Sequence, residues 1–592
     1  MSKKQNPVSI TINGKKIVTH DRETVLHAAN DNGFKIPTLC HYRKLAKAIP
    51  GTGSYHFNSG SCRICMVLDV KRDKLVPACV TPCVEGLEIS IDALRVIQNR
   101  RNVLELILSD HPKDCLTCNM NGRCELQTLA SEVDLRQLRF EGEQRQKQID
   151  ESSLSIFRDM NKCIFCKRCV VMCNEVQKVG VLSATGRGFD SNISTPFDLP
   201  IMDTNCTFCG QCISVCPTGA ITEISNIDHV WKALANKDKY VVVQTAPAIR
   251  VALGEEFGYP AGTDVTGKMV RALRMMGFDN VFDTNFAADL TIMEEAAELI
   301  DRVKNNKTLP ILTSCCPGWV KYLEHQFSDM LDIPSTCKSP HEMFGSITKT
   351  YFAQKNNLDP KDIVVVSVMP CVAKKYESAR PELGHEDGYS DVDLVITTRE
   401  LAQMIHEISI DFDNLEDDNF DHPFGESTGA GQIFASSGGV IEAALRTAYE
   451  WLTGEELKEV DFTDLRGLEG AKEATVEING KPFRIGVVSG LGNANDLLRR
   501  IRDGKVHYDA IEIMACPGGC IAGGGQPYHH NDQEIIRARM NTIYEMDKGK
   551  PIRQSHKNPS IIKLYEEFLG EPYYGEKAHD LLHTHYVKRV KM

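Results

Sequence analysis

The chain has 592 residues, which is too long for one domain and predicts about four. Its composition is typical of a globular protein, and no apolar run approaches the roughly 20 residues of a membrane span. The formal net charge of -12 argues against a nucleic-acid partner, and a polar N-terminus without an apolar signal-peptide core predicts a cytoplasmic protein.

Cysteine is the most informative residue type in this chain. A protein that stays in the cytosol keeps its thiols reduced, so 22 cysteines are not expected to form disulfides. A single cysteine is most simply a small buried hydrophobic residue. That interpretation does not explain cysteines in groups of three and four at short spacing, which is the behaviour of metal ligands.

The first segment, residues 1–88, predicts a small β-rich domain. Alternating apolar residues on either side of Asn13-Gly14 predict a β-hairpin, and a short helix is predicted from Thr24 to Asn32. Four candidate ligands follow: Cys40, Cys62, Cys65 and Cys79. Taken alone, this set suits zinc as well as an iron–sulfur cluster. Cys83 lies nearby and is interpreted as structural.

The second segment, residues 89–150, combines one histidine with three cysteines. A helix is predicted from Ala93 to Leu108, and the spacing H-x3-C-x2-C-x5-C then gives the candidate ligands His111, Cys115, Cys118 and Cys124. Zinc accepts one imidazole and three thiolates, and His111 could also be a surface residue beside a three-cysteine site. The polar stretch from Arg136 to Ser152 is the predicted linker.

The third segment, residues 151–232, contains an internal repeat of the form C-x2-C-x2-C-x3-C. This is the run of bacterial two-cluster ferredoxins, in which the fourth cysteine of each run ligates the other cluster. One predicted [4Fe–4S] set is therefore Cys163, Cys166, Cys169 and Cys216, and the other is Cys206, Cys209, Cys212 and Cys173. The first run has Asn174 where proline is usual.

From residue 238 to about 555 the pattern predicts an α/β domain. Buried-strand runs alternate with helices, among them Lys268 to Met276 and Leu290 to Asn305, the second with Asp289 as its cap. Such alternation predicts mostly parallel sheets covered on both faces. The acidic run from Asp411 to Asp421 is predicted to be a solvated loop.

Three predicted strands of this domain each run into a cysteine next to proline. The stretches are Thr313-Ser-Cys-Cys-Pro-Gly-Trp319, Met369-Pro-Cys-Val-Ala-Lys-Lys375 and Glu512-Ile-Met-Ala-Cys-Pro-Gly-Gly-Cys520. Ligands gather where parallel strands end, so the three stretches predict one pocket.

These three motifs, in this order, resemble the signature motifs of [FeFe]-hydrogenases, and the similarity extends over nearly the whole chain. The first two segments also resemble the [2Fe–2S] and His-ligated [4Fe–4S] modules that iron hydrogenases share with the large iron–sulfur subunit of complex I. The resemblance implies a multidomain α/β and α+β chain: β-grasp ferredoxin-like and bacterial ferredoxin modules precede an α/β catalytic domain. It implies one [2Fe–2S] cluster, three [4Fe–4S] relay clusters and an H-cluster, which is a [4Fe–4S] cube joined by one thiolate to a diiron unit with CO, cyanide and a bridging dithiolate amine.

The resemblance also implies roles for residues near the three motifs. By motif position, the cube is held by Cys316, Cys371, Cys516 and Cys520, of which Cys520 bridges to the diiron unit. Lys374 would donate to a cyanide, and Ala246, Pro247, Met369 and Met514 would line the diiron unit. Ala248 stands where the family often has serine, which would remove one hydrogen bond.

A proton exit is implied through Cys315, Glu295, Ser335 and Glu298. Glu295 and Glu298 are three residues apart and share a helix face. The simpler interpretation is a charged helix surface, which holds for most glutamate pairs. The family match alone favours the proton exit.

The tail, residues 556–592, resembles the small subunit that two-chain iron hydrogenases carry separately. Helices are predicted at Lys563 to Leu569 and Ala578 to Tyr586; the second holds three histidines, which could bind a metal but more simply belong to a packing helix. The implied reaction is reversible oxidation of H2 to protons and electrons. The implied electron partners are ferredoxin, or an NAD(P)H-oxidising flavoprotein with small iron–sulfur subunits in a larger complex, which the N-terminal modules favour.

Two other classes of protein compete with this interpretation. One is a non-catalytic iron–sulfur assembly or sensor relative, against which Cys315, Lys374 and the Met-Pro-Cys motif count. The other is the iron–sulfur subunit of a complex I-like dehydrogenase, which would share only the first 230 residues in kind.

Overall fold

The N-terminal segment is a five-stranded sheet with one short helix. The structure is a computed structural model and describes residues 6–42, 60–384, 388–457, 459–530 and 532–589. The strands are β1 (Pro7–Ile12), β2 (Lys15–His20), β3 (Met66–Asp69), β4 (Lys74–Pro77) and β5 (Glu88–Ser90), in the order β2-β1-β5-β3-β4. The predicted hairpin is confirmed: Asn13 and Gly14 have φ of 47° and 77°, as its tight turn requires. The predicted helix is α1 (Val25–Asp31), capped by the hydroxyl of Thr24.

Two helices form the second segment, α2 (Leu94–Ser109) and α3 (Glu125–Glu132). The predicted linker after them is charged, as expected, but it is packed against neighbouring elements. Arg139 binds Glu105 of α2 at 2.8 Å, and Arg145 binds Asp110. Its last residues form β6 (Ile149–Asp150), a strand of the next sheet. The polar segment therefore fastens the second module to the third.

The third segment repeats its backbone as well as its sequence. Its sheet has the order β10-β7-β6, with β7 (Ile156–Asp159) central and β10 at Ile221–Glu223, and β8 (Ser183–Thr185) pairs with β9 (Asn192–Ser194). The two short helices are α4 (Arg168–Val171) and α5 (Gln211–Ser214). A left-handed residue precedes each helix, Lys167 (φ 65°) and Gly210 (φ 71°), at matching positions of the two cysteine runs.

Two four-stranded sheets form the α/β domain. One has the order β12-β11-β14-β15, all parallel, with β11 (Tyr240–Thr245), β12 (Asn280–Asp283), β14 (Ile363–Met369) and β15 (Leu394–Thr397). The other has the order β13-β18-β17-β16, with β13 (Ile311–Leu312), β16 (Ala471–Ile478), β17 (Lys481–Ser489) and β18 (Ala510–Met514). Only the β16–β17 pair of this sheet is antiparallel, so the prediction of mostly parallel sheets is confirmed.

Helices cover these sheets, and the most buried of them runs between the sheets and the tail. They are α6 (Ile227–Ala235), α7 (Thr266–Met276), α8 (Thr284–Lys304), α9 (Pro317–Gln326), α10 (Pro340–Ile347), α11 (Ala353–Asn356), α12 (Lys374–Glu377), α13 (Thr398–Glu407), α14 (Gly429–Ile433), α15 (Gly439–Thr453), α16 (Leu491–Arg502) and α17 (Gln533–Gly549). Every residue of α8 from Thr284 to Arg302 is buried, so its carboxylates lie inside the protein.

Helix α8 begins earlier than predicted. Its cap is Asp283, which accepts the N–H of Asn285 at 2.9 Å, so the prediction of a cap at Asp289 is wrong. Asp289 lies inside the helix and accepts hydrogen bonds from Thr428 and Asn558. Because α8 is buried on all sides, it lacks the polar face that would have marked its first turns in the sequence.

The tail folds back onto the α/β domain. It contains α18 (Pro559–Leu564), a π-helical turn at Tyr565–Leu569 and α19 (Glu576–Leu582). The predicted helix through Tyr586 is wrong beyond Leu582, because His583 pairs with Cys337 in an isolated antiparallel bridge. Among the described residues, no helix has both the length and the apolar character that crossing a membrane requires.

Candidate active site

The three predicted cysteine strand ends meet in one site. Cys316 is the N-cap residue of α9, four residues after the end of β13, and its thiol accepts the backbone N–H of Ala515 at 3.4 Å. This contact joins the end of β13 to the end of β18. Cys371 follows β14 of the other sheet by two residues, so both sheets supply thiols.

Four thiols are close enough here to disfavour each other's ionisation. Burial raises the pKa of Cys371 to about 12, and the negative charge of Cys316 adds to the shift. The pKa of Cys516 and of Cys520 is also raised, first by burial and then by the charges of Cys316 and Cys371. Among the described residues of the site, one ammonium, that of Lys374, opposes these shifts. Four crowded thiols fit a [4Fe–4S] cube, which takes four thiolates and whose iron supplies the missing positive charge.

Cys315 belongs to a different environment from Cys316. It packs against an apolar cluster that includes Ala248 and Met514, and its pKa is raised first by burial and then by the negative charge of Glu295. Its carbonyl oxygen accepts a hydrogen bond from the ammonium of Lys374 at 3.1 Å. The two adjacent thiols therefore differ in their main neighbours: the charge of Cys316 acts on Cys371, Cys516 and Cys520, whereas the largest charge effect on Cys315 comes from the carboxyl of Glu295.

Lys374 is buried and held by three acceptors. Its Nζ donates to Glu377 at 2.6 Å and to Ser339 at 2.8 Å, in addition to Cys315. Burial alone would lower the pKa of Lys374, but the charge and hydrogen bond of Glu377, together with the charges of Cys315 and Cys371, outweigh burial and the pKa is raised. The structure therefore keeps an ammonium beside the cysteine motifs. Glu377 and Ser339 were missed by sequence reasoning, although Glu377 lies three residues after Lys374 on α12.

Glu295 and Glu298 are not a charged helix surface, because they are 4% and 1% exposed. Burial, together with the charge of Glu298, raises the pKa of Glu295 to about 8, while a hydrogen bond from the backbone of Ser314 opposes the shift. Ser335 donates to the Oε2 of Glu298 at 2.8 Å. The structure thus joins Ser335 to Glu298 directly and places Glu295 beside the Ser314–Cys315 backbone.

Sequence reasoning missed the groups that hold Glu298. Arg302 donates to its Oε1 at 2.6 Å, and the backbone N–H of Thr336 donates to its Oε2 at 3.0 Å. The spacing of Glu298 and Arg302, four residues apart on one helix, was a signal that could have found the first contact. The second is long-range and left no local signal.

The four predicted lining residues are all buried at strand ends. Ala246 and Pro247 follow β11, and the N–H of Ala246 donates to Val368 of β14 at 3.1 Å. Met369 ends β14 and Met514 ends β18, each 2% exposed. They offer an apolar wall with no charge of its own.

The cysteines of the third segment fall into two cavities. One is lined by Cys163, Cys166, Cys169 and Cys216, and the other by Cys173, Cys206, Cys209 and Cys212. Each cavity thus takes three cysteines from one run and one from the other, which is the division that the ferredoxin pattern predicts. Both donor sets consist of four thiols and fit a [4Fe–4S] cluster.

The second cavity lies directly against the active site. The side chain of Gln211 donates to the carbonyl of Ala522 at 3.1 Å, and that of Gln177 to the carbonyl of Ala515 at 3.0 Å. A Cβ added to Gly524 would lie 2.7 Å from the Cα of Gly210, so the two backbones touch. The charge of Cys209 contributes to the raised pKa of Cys516. The cavity of Cys173, Cys206, Cys209 and Cys212 therefore lies in direct contact with the active site, as a relay cluster requires.

The four cysteines of the first segment are brought together in pairs. The N–H of Cys62 lies 3.4 Å from the thiol of Cys40, and hydrogen bonding from Cys62 lowers the pKa of Cys40 to about 6. The pKa of Cys79 is lowered by a hydrogen bond from Cys65. The two pairs lie close together, because the charge of Cys40 acts to raise the pKa of both Cys65 and Cys79. Cys83 is fully buried in the apolar core, where burial raises its pKa to about 12.

The histidine of the second segment is buried, so it is not a surface residue. His111 is 8% exposed, and its Nδ1 has no hydrogen-bond partner within the described residues. Burial lowers its pKa to about 4, so the ring is neutral and able to bind a metal. Cys124 is buried near Cys118, and Cys115 is exposed at the edge of the group. The donor set fits a His-ligated cluster.

Five family models match consecutive parts of the chain. The 2Fe-2S iron-sulfur cluster binding domain matches residues 5–93, the NADH-ubiquinone oxidoreductase-G iron-sulfur binding region 100–139, and the ferredoxin-like domain of NADH-quinone oxidoreductase subunit 3 matches 154–222. The C-terminal domain of the iron only hydrogenase large subunit matches 239–524, and the iron hydrogenase small subunit matches 533–589.

Relatives that align with nearly the whole chain are also hydrogenases. The chain is 54% identical to the NADP-reducing hydrogenase subunit HndD of Solidesulfovibrio fructosivorans, over 99% of this chain and 100% of the relative. It is 39% identical to iron hydrogenase 1 of Clostridium pasteurianum, over 98% and 100%. A solved structure of a variant of the [FeFe]-hydrogenase HydA1 from Chlamydomonas reinhardtii is 40% identical with a TM-score of 0.56, covering 62% of this chain and 100% of that one. With thiols gathered at the strand ends, a buried carboxyl beside them and these relatives, the chain belongs to the iron-only, or [FeFe], hydrogenases.

Proposed function

We propose that this hydrogenase binds the cube of its H-cluster through Cys316, Cys371, Cys516 and Cys520, with Cys520 as the bridging thiolate, and exchanges protons through Cys315. When bound, the H-cluster supplies the metal site at which the H–H bond is cleaved or formed. The observation that carries the proposal is the different environment of adjacent thiols. The charge of Cys316 contributes to the raised pKa of Cys371, Cys516 and Cys520, whereas the strongest charge acting on Cys315 is that of Glu295.

The chain's own residues then have separate tasks. Lys374 places an ammonium at the pocket, fixed by Glu377 and Ser339, where it can donate to an anionic ligand such as cyanide. Ala246, Pro247, Met369 and Met514 exclude water from the diiron unit. In H2 oxidation the proton leaves the Cys315 thiol for the carboxylate of Glu295 and then the Ser335–Glu298 pair.

We further propose five functional units: 1–88 for the [2Fe–2S] cluster, 89–150 for the His-ligated cluster with its linker, 151–232 for two [4Fe–4S] clusters, 238–555 for catalysis and 556–592 for the tail. The relay begins at Cys40, Cys62, Cys65 and Cys79 and at His111, Cys115, Cys118 and Cys124. It ends at the cluster of Cys173, Cys206, Cys209 and Cys212, whose cavity lies against the active site.

The redox partner is proposed to be an NAD(P)H-oxidising flavoprotein subunit of a larger complex, since the relative that is 54% identical is named as an NADP-reducing hydrogenase subunit. The chain itself shows no Gly-rich dinucleotide fingerprint in its sequence. Ferredoxin is the alternative partner. Co-purification from the native host tests this point: an associated flavoprotein supports the complex, and an isolated chain that reduces ferredoxin refutes it.

Infrared spectroscopy tests the catalytic proposal. The protein matured with its assembly enzymes should show bands of CO and cyanide and should turn over H2. Cys316→Ser should lose the bands, whereas Cys315→Ala should keep them and lose turnover. Bands that are absent from the matured wild-type protein would refute the proposal.

A further inference from the structure

The C-terminal tail touches the proton route at its most buried point. His583 follows α19 and pairs with Cys337 in an antiparallel bridge. Two backbone hydrogen bonds, from Lys338 to Leu582 and from Thr584 to Thr336, both 2.7 Å, hold the tail against the segment that contains Ser335. The His583 side chain is 2% exposed, so its ring nitrogens contact protein groups and not bulk solvent.

Both ring nitrogens of His583 are within hydrogen-bonding distance of a partner, one a hydroxyl and the other a carboxyl. The Nδ1 lies 2.7 Å from the hydroxyl of Thr336, and the Nε2 lies 3.0 Å from the Oε2 of Glu294. Glu294 also accepts the N–H of Tyr573 at 2.7 Å and the hydroxyl proton of Tyr565. Because the two tyrosines both donate to this carboxyl, it acts as an acceptor, which assigns the Nε2–H of His583 as a third donor to it. The Nδ1 is then left as an acceptor for Thr336.

The other side of Thr336 faces Glu298. Its hydroxyl lies 3.3 Å from the Oε2 of Glu298, the same oxygen that accepts from Ser335. A hydroxyl that can accept from one neighbour while donating to another connects two proton-binding groups. Glu298, Thr336 and His583 therefore form a chain that branches from the predicted proton exit.

We propose that His583 is the proton store of this branch: it takes up the proton that Glu298 carries and holds it as an imidazolium beside Glu294. The step is a paired transfer. Glu298 accepts hydrogen bonds at rest and is a carboxylic acid only while it carries a proton received along the exit. It then gives that proton to the Thr336 oxygen, the Thr336 hydroxyl gives its own proton to the Nδ1 of His583, and the positive ring is balanced by the Glu294 carboxylate. The reverse transfer supplies a proton for H2 formation. The inference rests on the proposed proton exit and extends it into the tail.

The surroundings of His583 favour this role over metal binding. One atom from each of Glu298, Cys337 and His583 lies within 4.8 Å of the others, which would suit a cation. However, Thr336 and Glu294 already engage both nitrogens of the ring. The titratable or charged groups around the branch are Glu294, Glu298 and Arg302 of α8, Cys337, and Tyr565, Tyr573 and His579 of the tail.

The test uses the matured full chain with His583→Gln, Thr336→Val and the double variant. Each single variant should slow H2 oxidation and proton reduction about tenfold, less than the roughly 10²–10⁴-fold typical of a direct acid–base group, because Ser335 still contacts Glu298. The solvent isotope effect should rise in each. The double variant should be no slower than either single variant, because all three variants lose the same proton transfer from Glu298 through Thr336 to His583. Thr336→Ser should restore the rate, and His585→Gln, an exposed histidine of the same tail, should leave it unchanged.

A spectroscopic readout separates proton storage from simple support of the fold. Infrared difference spectra with isotope-labelled histidine should show an imidazolium signal in the wild type that is absent from His583→Gln and from Thr336→Val. No such signal in an active wild type would overturn the inference, as would additive losses in the double variant. If the wild type lacked the CO and cyanide bands or H2 turnover, the proposed function itself would fail instead.

Discussion

Gly524→Ala tests whether the backbone contact between the relay and the active site matters for electron flow. A Cβ at Gly524 would lie 2.7 Å from the Cα and 2.8 Å from the carbonyl carbon of Gly210. Ordinary contacts begin at 3.4 Å, so the loops must part by about 0.7 Å. Because both neighbours are backbone atoms, no side chain can rotate away to relieve the overlap.

Overpacking of this kind costs about 1–3 kcal/mol. We expect the fold of the whole protein to tolerate this loss of stability. The contact between the ferredoxin module and the catalytic domain should be more sensitive, since the same energy changes the equilibrium between its docked and separated states by roughly 5- to 150-fold. We therefore expect the variant to fold and to bind its clusters. The electron path from the active site to the Cys209 cluster should be impaired, whereas the pocket itself should remain intact.

Two assays distinguish these effects. Exchange between H2 and D2O requires only the pocket and should be nearly unchanged, whereas H2-driven reduction of a protein acceptor requires the relay and should fall several-fold. Gly549→Ala is the matched control, since a Cβ there meets nothing within 4 Å. Equal loss in both assays, or no loss of acceptor reduction in a folded variant, would refute the reasoning.

Three further predictions concern the thiols and the buried carboxyl. Cys315→Ala should lower H2 turnover by at least about 10²-fold while the electron paramagnetic resonance signals of the cubes persist; retained activity would contradict its proton role. The pKa of Glu295, raised by burial to about 8, means that it holds a proton to donate below that pH and acts as an acceptor above it. H2 formation should therefore decline as the pH rises through about 8 and H2 oxidation should gain, a crossover that pH–rate profiles of Glu295→Gln should lack. Cys79→Ser should lose the [2Fe–2S] signal, whereas Cys83→Ala should keep it; loss in both would show that Cys83 is more than a core residue.

Cysteine spacing predicted much of this molecule because a cluster imposes its ligands on the local sequence. The exchange of Cys173 and Cys216 between cavities follows from the repeat alone. The meeting of the β13 and β18 ends follows from parallel-sheet geometry, whereas Cys371 is supplied by the other sheet, which the sequence did not indicate. Burial of Glu295 and Glu298 could not be predicted in the same way, because it depends on elements distant in sequence packing around α8. The start of α8 was missed for that reason too.

Long-range partners explain the remaining misses. His583 seemed to belong to a packing helix, since its partners Thr336 and Glu294 lie about 250 and 290 residues earlier. Ser339, which also holds Lys374, lies 35 residues before it, and its hydroxyl leaves no characteristic spacing. Glu377 is the exception, since it lies three residues after Lys374 and its spacing could have indicated the contact. Residues that bind a cofactor can be predicted from motifs. The residues that position those ligands can be identified only once the fold is known.

The antiparallel bridge between the tail and residues 336–338 has a consequence for assembly. Because the tail is covalently joined to the catalytic domain, it docks at an effective concentration on the order of millimolar, independent of how dilute the protein is. A short bridge with few hydrogen bonds can then remain closed, although the same segment supplied as a separate chain would need a larger interface to stay bound. Cleavage of the connection near residue 550 would turn an intramolecular contact into a bimolecular one, and occupancy of the tail would begin to depend on dilution.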